Sequence, residues 1–514
     1  MNETRSRNPD ASSSIFKPGE NCWRVTRADK LALIVDAADY FRMLRCIFLE
    51  AKRELLLIGW DFDFEIDMLP GESDADGLAP DGYPNALGPF LEAVVARTPE
   101  LNVYMLKWNG AVLVAPGRFL PTVALDVFGD DRIHFALDGH HPFGACHHQK
   151  IIVADNGFAF CGGIDATEGR WDTSEHLPKD PRRARKNRSL SEPWHDATSA
   201  LTGPVAQALG DLSRGRWLRA TGEELTPPDD VRQIDWPNDL EVAAENVDVA
   251  IARTSPPFDG EELTNEIERL ILDSIAAAEH VIYIESQYFS AETVCDALEA
   301  RLREETGPEI VIINPEAALE WLEDRAMHVL RARMIERLRA ADHGNRFRIY
   351  HPVASDGEPI YVHAKIFIVD DQILRIGSSN LDDRSMGFDT ECDIAFEGPQ
   401  DSVRAFRTRL LAEHLAVPVE KVEERLREKG RLIDAIESLN ATEGRALLAI
   451  EPPPEEDMFG EFLADTRLLD PRYLPGEMTA AGHGLRPRHL VMIAGAVGAG
   501  LLAWLAWRRR TAQR

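Results

Sequence analysis

Two pairs of residues in this chain have the types and spacing needed for phosphoryl chemistry. His148 and Lys150 lie in HHQKIIVADNGFAFCGGID (residues 147–165), and His363 and Lys365 lie in VHAKIFIVDDQILRIGSSN (residues 362–380). Both stretches fill one skeleton, His-x-Lys-x4-Asp-x6-Gly-[Gly/Ser]-x-[Asp/Asn]. The first supplies His148, Lys150, Asp155, Gly162, Gly163 and Asp165; the second supplies His363, Lys365, Asp370, Gly377, Ser378 and Asn380. A single short match is weak evidence, but two copies with matching tails and no gap are not. Farther on, Asp196 opens DATSALTGP and Glu391 opens ECDIAFEGP, so a carboxylate recurs at one repeat position. Such a group can accept the Nδ1 proton of an imidazole and leave Nε2 free for chemistry.

One half alone offers a single imidazole and a single ammonium. Two halves sharing a cleft across a pseudo-two-fold axis offer two of each, an amide and two orienting carboxylates. That set suits a tetrahedral phosphodiester. One histidine attacks phosphorus and the other protonates the leaving oxygen. Lys150, Lys365 and Asn380, with Asp165 at the matching position, surround the phosphate oxygens.

The elements that must carry these residues are strands. The β-rich run after His148 places His148 and Lys150 on one face, about 6.6 Å apart, because alternate residues share a face. Asp155 and Asp370 fall on the other face and read as structural. Asn156-Gly157 is a strong two-residue hairpin signal. A turn there sets Asp155 opposite Phe158, Lys150 opposite Gly163 and His148 opposite Asp165, with His363 opposite Asn380 in the second copy. The glycines then allow another group close to the lysine.

The duplication extends beyond the signatures. FLEAKRELLLIGWDFD (48–63) and SIAAAEHVIYIESQYF (274–289) each read as a helix end running into an apolar strand. LNVYMLKW and PEIVIINP follow as second strands. The expected fold is α/β, with two pseudo-symmetric halves, each a mixed sheet flanked by helices, sharing one active site. The boundaries read as a disordered N-terminus at 1–21, a first catalytic repeat at 22–220, a Pro/Asp-rich linker at 221–243 and a second repeat at 244–420. A helical and acidic spacer follows at 421–488, then a transmembrane anchor at 489–507.

Residues 490–507 carry no charge and, at about 1.5 Å per residue, span about 27 Å, close to the hydrocarbon core of a bilayer. Arg486, Arg488 and Arg508 to Arg510 bracket them. With no apolar secretory segment at the N-terminus, the reading is a single-pass C-terminal anchor with the catalytic domain in the cytoplasm. The six cysteines form no CxxC and read as reduced thiols. A net charge of -30 opposes long-range attraction to nucleic acid. HHPFGACHH (140–148) reads as no metal site, for want of an outlying ligand set. PRRARKNR (181–188) reads as either a solvated loop or a contact with anionic lipid.

The doubled signature resembles that of the phospholipase D superfamily. GGID closes the first copy, with GRWD and PWHD after it; GSSN closes the second, with DDRS and Glu391 after it. The likeness spans roughly residues 22–420. With YIESQYF, it is most similar to the phosphatidylcholine-hydrolysing type familiar from eukaryotes, although Asp165 and Ser286 stand where asparagine is usual. The resemblance implies a cofactor- and metal-independent transfer through a phosphohistidine. It places the nucleophile on His148, oriented by Asp196, and the general acid on His363, oriented by Glu391. A monomer acting on a phospholipid membrane is expected, with a cardiolipin synthase-type phosphatidyltransferase or a nuclease of the same superfamily as alternatives.

Overall fold

The structure is a computed structural model that describes residues 14–110, 130–228, 233–318, 321–440, 444–452, 458–467 and 469–472. In the first half run β1 (Arg24–Val35), β2 (Glu54–Gly59), β3 (Asn102–Trp108), β4 (Ile133–Asp138), β5 (Ile151–Ala154), β6 (Phe158–Gly162), β7 (Trp194–His195) and β8 (Ala197–Thr202). The second half repeats them as β9 (Ala244–Ser255), β11 (Val281–Glu285), β12 (Glu309–Ile313), β13 (Phe347–Val353), β14 (Tyr361–Val362), β15 (Ile366–Val369), β16 (Ile373–Gly377) and β17 (Glu391–Glu397). A short β10 (Thr264–Asn265) precedes β11, and β18 (Ala446–Ala449) comes last.

The two expected sheets are joined into one. Its order is β4-β3-β2-β5-β6-β8-β1-β9-β17-β16-β15-β11-β12-β13-β18, with β10 beside β9. The seam is the antiparallel pair of β1 and β9, from Arg24 opposite Ile251 to Leu31 opposite Ala244. Outward from the seam, each half has antiparallel neighbours first and then a parallel outer set, β2-β3-β4 and β11-β12-β13. Runs such as LLLI, IIVA and EIVII are buried throughout because helices cover both faces of the sheet.

Alternation along β1 sends Ala32 and Ile34 to one face and Leu31, Leu33 and Val35 to the other. The first face is covered by α1 (Ala37–Glu50) and α2 (Leu87–Arg97), through Phe41, Phe48 and Phe90. The opposite face is covered by α3 (Pro204–Thr221), through Leu209 and Trp217. The second half mirrors this with α4 (Glu266–Ala277), α5 (Glu292–Leu302) and α6 (Trp321–Ala341) on one face. The short α7 (Asp383–Gly387) follows β16, and α8 (Gln400–Leu415) covers the other face.

Two expected boundaries are corrected. Residues 14–21 belong to the folded unit, since Phe16 is buried in the second-half core and the Asn21 amide donates to Ile15 O and Asp273. Residues 421–440 and 444–450 are not a detached spacer. After α9 (Val419–Lys429), α10 (Leu432–Leu439) buries Leu432, Ile433 and Ile436, and β18 pairs antiparallel with β13. The unpaired edge of β13 and the apolar face of α10 drive this docking. No helix among the described residues is long and apolar enough to cross a membrane; the stretch at 490–507 lies outside them.

The hairpins also differ from expectation. Ala154 pairs with Phe158 and Val369 with Ile373, so each loop holds three residues, not two. Asp155 and Asn156 have φ of 48° and 54°, and Asp370 and Asp371 have 53° and 56°. Asp and Asn tolerate this left-handed region better than most residues. The register therefore shifts by one: Lys150 stands opposite Gly162 and Lys365 opposite Gly377, joined by backbone bonds of 3.4 and 3.3 Å. Neither His148 nor His363 faces its downstream Asp165 or Asn380 across a ladder.

The left-handed turn aims each aspartate at the loop before the neighbouring strand. Asp155 accepts from the backbone N–H groups of Lys52, Arg53 and Glu54 at 2.7, 2.8 and 2.9 Å. Asp370 accepts from Glu279, His280 and Val281 at 2.6, 2.8 and 2.7 Å. With Asp155 buried, Asp155→Ala strands three donors, and we expect a loss of about 3 kcal/mol in urea unfolding. A change under about 0.5 kcal/mol, the range typical of surface substitutions, contradicts this role.

Candidate active site

The two signature histidines open into one cavity of about 310 Å³. Its lining includes Trp60, Asp165, Arg170, Gln287, Asn380 and Glu391 beside His148 and His363. The chain reaches this point twice, by the same route. Just before β5, His147 bridges Thr390 in parallel, and His148 N donates to Thr390 O at 2.9 Å. Just before β15, Tyr361 and Val362 pair with Trp194 and His195, and His363 N donates to His195 O at 2.8 Å. Each histidine segment thus lies along the segment of the other half that ends in a carboxylate.

This corrects the expected pairing. His148 Nδ1 lies 3.0 Å from both carboxylate oxygens of Glu391, and His363 Nδ1 lies 2.7 Å from Asp196 Oδ2. The carboxylate that follows each histidine in sequence serves the histidine of the other half, because the pseudo-two-fold axis passes between them. Glu391 is itself held by the hydroxyls of Ser378 and, at 2.8 Å, Ser385. Asp196 accepts from Ala197 N at 2.8 Å, and its own N–H donates to Asp36 at 3.3 Å. With Nδ1 engaged by an acceptor, the proton sits on that nitrogen and Nε2 is the atom available to the cavity.

The lysines lie beneath. Lys150 Nζ is 3.0 Å from His148 O and 3.2 Å from Asp165 Oδ2. Lys365 donates to His363 O and lies 3.4 Å from Gln287 Oε1. Gly163 is required here, since a Cβ would run into Asp196 and crowd the Lys365 side chain. Gly162 and Gly377 similarly admit Thr198 and Asp393. Asp165 also accepts from Trp60 N at 3.1 Å, so it acts as counter-ion to Lys150 and anchor of the loop after β2. That arrangement does not suit it to contact a phosphate anion. Asn380 lines the cavity, with its Oδ1 buried and unpaired among the described residues.

Four further residues complete the walls. Arg170, from GRWD, stacks over the Trp194 ring at 4.2 Å. Gln287 comes from YIESQYF. Arg384, from DDRS, is bound to Asp389 and to Gly144 O at 2.9 Å. Trp60 stacks on Trp108 at 5.7 Å. Their motifs were visible in sequence, but their convergence was not. The basic run at 181–188 lines a separate groove, where Arg182, Arg183 and Lys186 are paired with Asp180, Asp172 and Asp63.

Burial, reinforced by the Lys150 and Lys365 charges, holds the His148 imidazole well below the usual histidine range. Burial together with Lys365 and Arg170 does the same to His363. Both imidazoles are neutral in the empty cavity at pH 7. Burial also brings the Lys365 ammonium down to about 7, against the pull of Asp196 and with the push of Lys150. Any anion bound beside these groups would favour protonation of one imidazole and of Lys365.

The crossed pairing has a direct test in ¹⁵N-histidine spectra. Glu391→Gln is expected to change the tautomer and titration of His148 and leave those of His363 nearly unmoved, and Asp196→Asn the reverse. A response of the histidine in the same half as the mutated carboxylate contradicts the pairing.

A family model described as "Cardiolipin synthase, PLD-like domain" matches residues 271–411. Phospholipase D alpha 1 of Vigna unguiculata is 25% identical over 71% of this chain and 62% of its own length. Phospholipase D1 of Schizosaccharomyces pombe is 24% identical over 54% of this chain and 28% of its own. The chain thus spans less than two thirds of either relative. The crystal structure of phosphatidylserine synthase from Haemophilus influenzae Rd KW20 superposes with a TM-score of 0.53 at 12% identity, covering 80% of this chain and 95% of that one, which is a likeness of fold. These likenesses, together with the doubled signature closing on one cavity, support membership of the phospholipase D superfamily.

Proposed function

We propose that this protein is a phospholipase D, cleaving the headgroup phosphodiester of a phospholipid such as phosphatidylcholine through a covalent phosphohistidine. The observation that carries this reading is the pair of imidazoles, each turned by a carboxylate of the opposite half so that Nε2 serves one cation-lined cavity. His148 is assigned as nucleophile; its side chain is 15% exposed against 5% for His363, which suits direct attack.

In the first step the Nε2 lone pair of His148 forms a bond to phosphorus, and the phosphorus–oxygen bond to the headgroup breaks. His363 gives its Nε2 proton to the departing oxygen. Lys150, Lys365, Arg170 and the Asn380 amide counter the charge on the non-bridging oxygens. In the second step His363, now neutral, takes a proton from water, whose oxygen displaces His148. Phosphatidic acid leaves, and both imidazoles return to their starting state.

Any small alcohol that enters competes with water at this stage. A lipid alcohol as acceptor would make the same site a synthase, a second reading favoured by the family model that matches residues 271–411. A nuclease is disfavoured by the net charge of -30. Phe143, in the loop leading to His148, is 96% exposed and suits contact with a lipid surface. We assign the main membrane attachment to residues 490–507, and the catalytic domain to the cytoplasmic side.

Labelled phosphatidylcholine with ethanol should yield phosphatidylethanol alongside phosphatidic acid, with configuration retained at phosphorus. His148→Ala should abolish trapping of a phospho-enzyme, whereas His363→Ala should still be trapped with a leaving group that needs no proton. Active enzyme that makes no phosphatidylethanol, or a label trapped on His363, argues against the route or the assignment. Protein truncated after residue 484 should keep activity on detergent-dispersed lipid and lose vesicle binding; retained tight vesicle binding would move the attachment to the catalytic domain.

The depressed Lys365 predicts the alkaline limb. Its ammonium is present below about pH 7 in the free enzyme and is lost as pH rises through that value, so kcat/KM should fall there. In Lys365→Arg the cation persists at all accessible pH, so the break near pH 7 should vanish at a lower overall rate, leaving only the shallower fall set by deprotonation of His363. An unchanged limb in that variant would assign it to another group.

A further inference from the structure

The PWHD motif contributes Asp196 to the site, yet its histidine points elsewhere. His195 is fully buried behind Asp196, at the meeting of the two halves, with Asp36, His176 and, from α8, Glu413. One ligand atom from each of these four lies within 4.8 Å of every other. His195 Nδ1 is 2.8 Å from Glu413 Oε1 and 3.7 Å from Asp36 Oδ1. His176 Nε2 is 3.3 Å from Glu413 Oε1 and 3.8 Å from Asp36 Oδ2. Ligands at about 2.0 Å from a tetrahedral zinc stand about 3.3 Å apart, the middle of this range.

The opposite ring nitrogens support this. His176 Nδ1 is 3.0 Å from Asp172, whose carboxylate is also bound by Arg183 and by Trp194 N. His195 Nε2 is 2.7 Å from Glu285, which also accepts from Tyr283 OH and His414 Nε2. Outer carboxylates of this kind take the ring proton and turn the other nitrogen's lone pair to a metal. With those tautomers, two imidazole lone pairs and two carboxylates converge on one point without a donor between them. Asp36 Oδ2 and Glu413 Oε2 are moreover buried with no hydrogen-bond partner among the described residues.

Charge agrees as well. Asp36, Asp172, Glu285 and Glu413 bring four carboxylates into this region. Arg183 pairs with Asp172, and Arg445 lies close enough to act on Glu413, Asp36 and Asp172. A dication supplies the balance with the imidazoles neutral.

We propose that Asp36, His176, His195 and Glu413 bind a structural divalent transition metal, zinc by their nitrogen and oxygen donor set, which ties α8 of the second half to the loops of the first. All four positions are taken by protein and the site is closed to solvent, so the metal takes no part in phosphodiester cleavage. It fixes the backbone on which Asp196 stands and, through His195 O, the strand that presents His363.

Full-length protein purified without chelator is expected to carry about one zinc per chain by mass spectrometry of the elements. X-ray absorption should show only nitrogen and oxygen neighbours at about 2.0–2.1 Å, with no sulfur. Glu413→Gln and His176→Ala should each lower zinc content or affinity at least about tenfold. His140→Ala with His141→Ala, in the other histidine-rich stretch, should retain it. If the ligand variants do not fold, the wild-type measurement decides. Folded, active enzyme that holds under about a tenth of an equivalent, as purified and after incubation with zinc, manganese or iron(II) salts, overturns the proposal and leaves a network balanced by protons alone. Sulfur neighbours, or loss of metal in the His140/His141 variant, overturn it equally.

Discussion

On the proposed phosphohistidine route a neutral imidazole attacks phosphorus only if its proton is held on the far nitrogen, and here that nitrogen meets a carboxylate from the other half of the molecule. The distances of 3.0 Å from His148 to Glu391 and 2.7 Å from His363 to Asp196 make each half incomplete alone. The rest of the architecture follows from meeting this condition twice. Two parallel bridges, His147 with Thr390 and β14 with β7, carry each histidine past its partner. The antiparallel seam of β1 and β9 fixes the axis that relates them.

Keeping so many charges out of water requires them to answer one another. Lys150 leans on Asp165, and Glu391 on Ser378 and Ser385, so that few groups in the cavity floor are left to the substrate alone. Buried ions without partners cost several kcal/mol each, whereas a paired and hydrogen-bonded set is tolerated. The same logic extends behind the cavity into the His176, His195 and Glu413 cluster, where carboxylates outnumber arginines and a dication fits the balance. Stability and catalysis share residues here: PWHD gives Trp194 to stack on Tyr361 and Arg170, His195 to the buried cluster, and Asp196 to His363.

Much of this was legible in the chain itself. The repeated spacing of His148, Lys150 and Asp155 with His363, Lys365 and Asp370 identifies a duplicated α/β unit. Asp155 and Asp370 read as structural from alternation along each strand; they do bind backbone N–H groups, but from the left-handed turn beyond the strand and not from a strand face. The hairpin register differs by one residue from the one that Asn156-Gly157 suggests, because an Asn-Gly pair favours a two-residue loop and the chain forms a three-residue one. The demand of Asp155 for three N–H donors instead draws it into the turn in a left-handed conformation. Local turn preference is weak beside three buried hydrogen bonds.

By itself, then, the sequence determined the doubled His and Lys residues that the structure brings to one cavity and the strands that hold them. Residue type and periodicity are properties of short segments. Only the tertiary structure decided which carboxylate turns which imidazole, that Arg170 and Gln287 complete the cavity, and that Asp36, His176, His195 and Glu413 converge on one buried point. Those pairings join residues up to hundreds of positions apart. Sequence proximity favours Asp196 for His148, but the seam between β1 and β9 sets the distances, and it brings Asp196 to His363 instead.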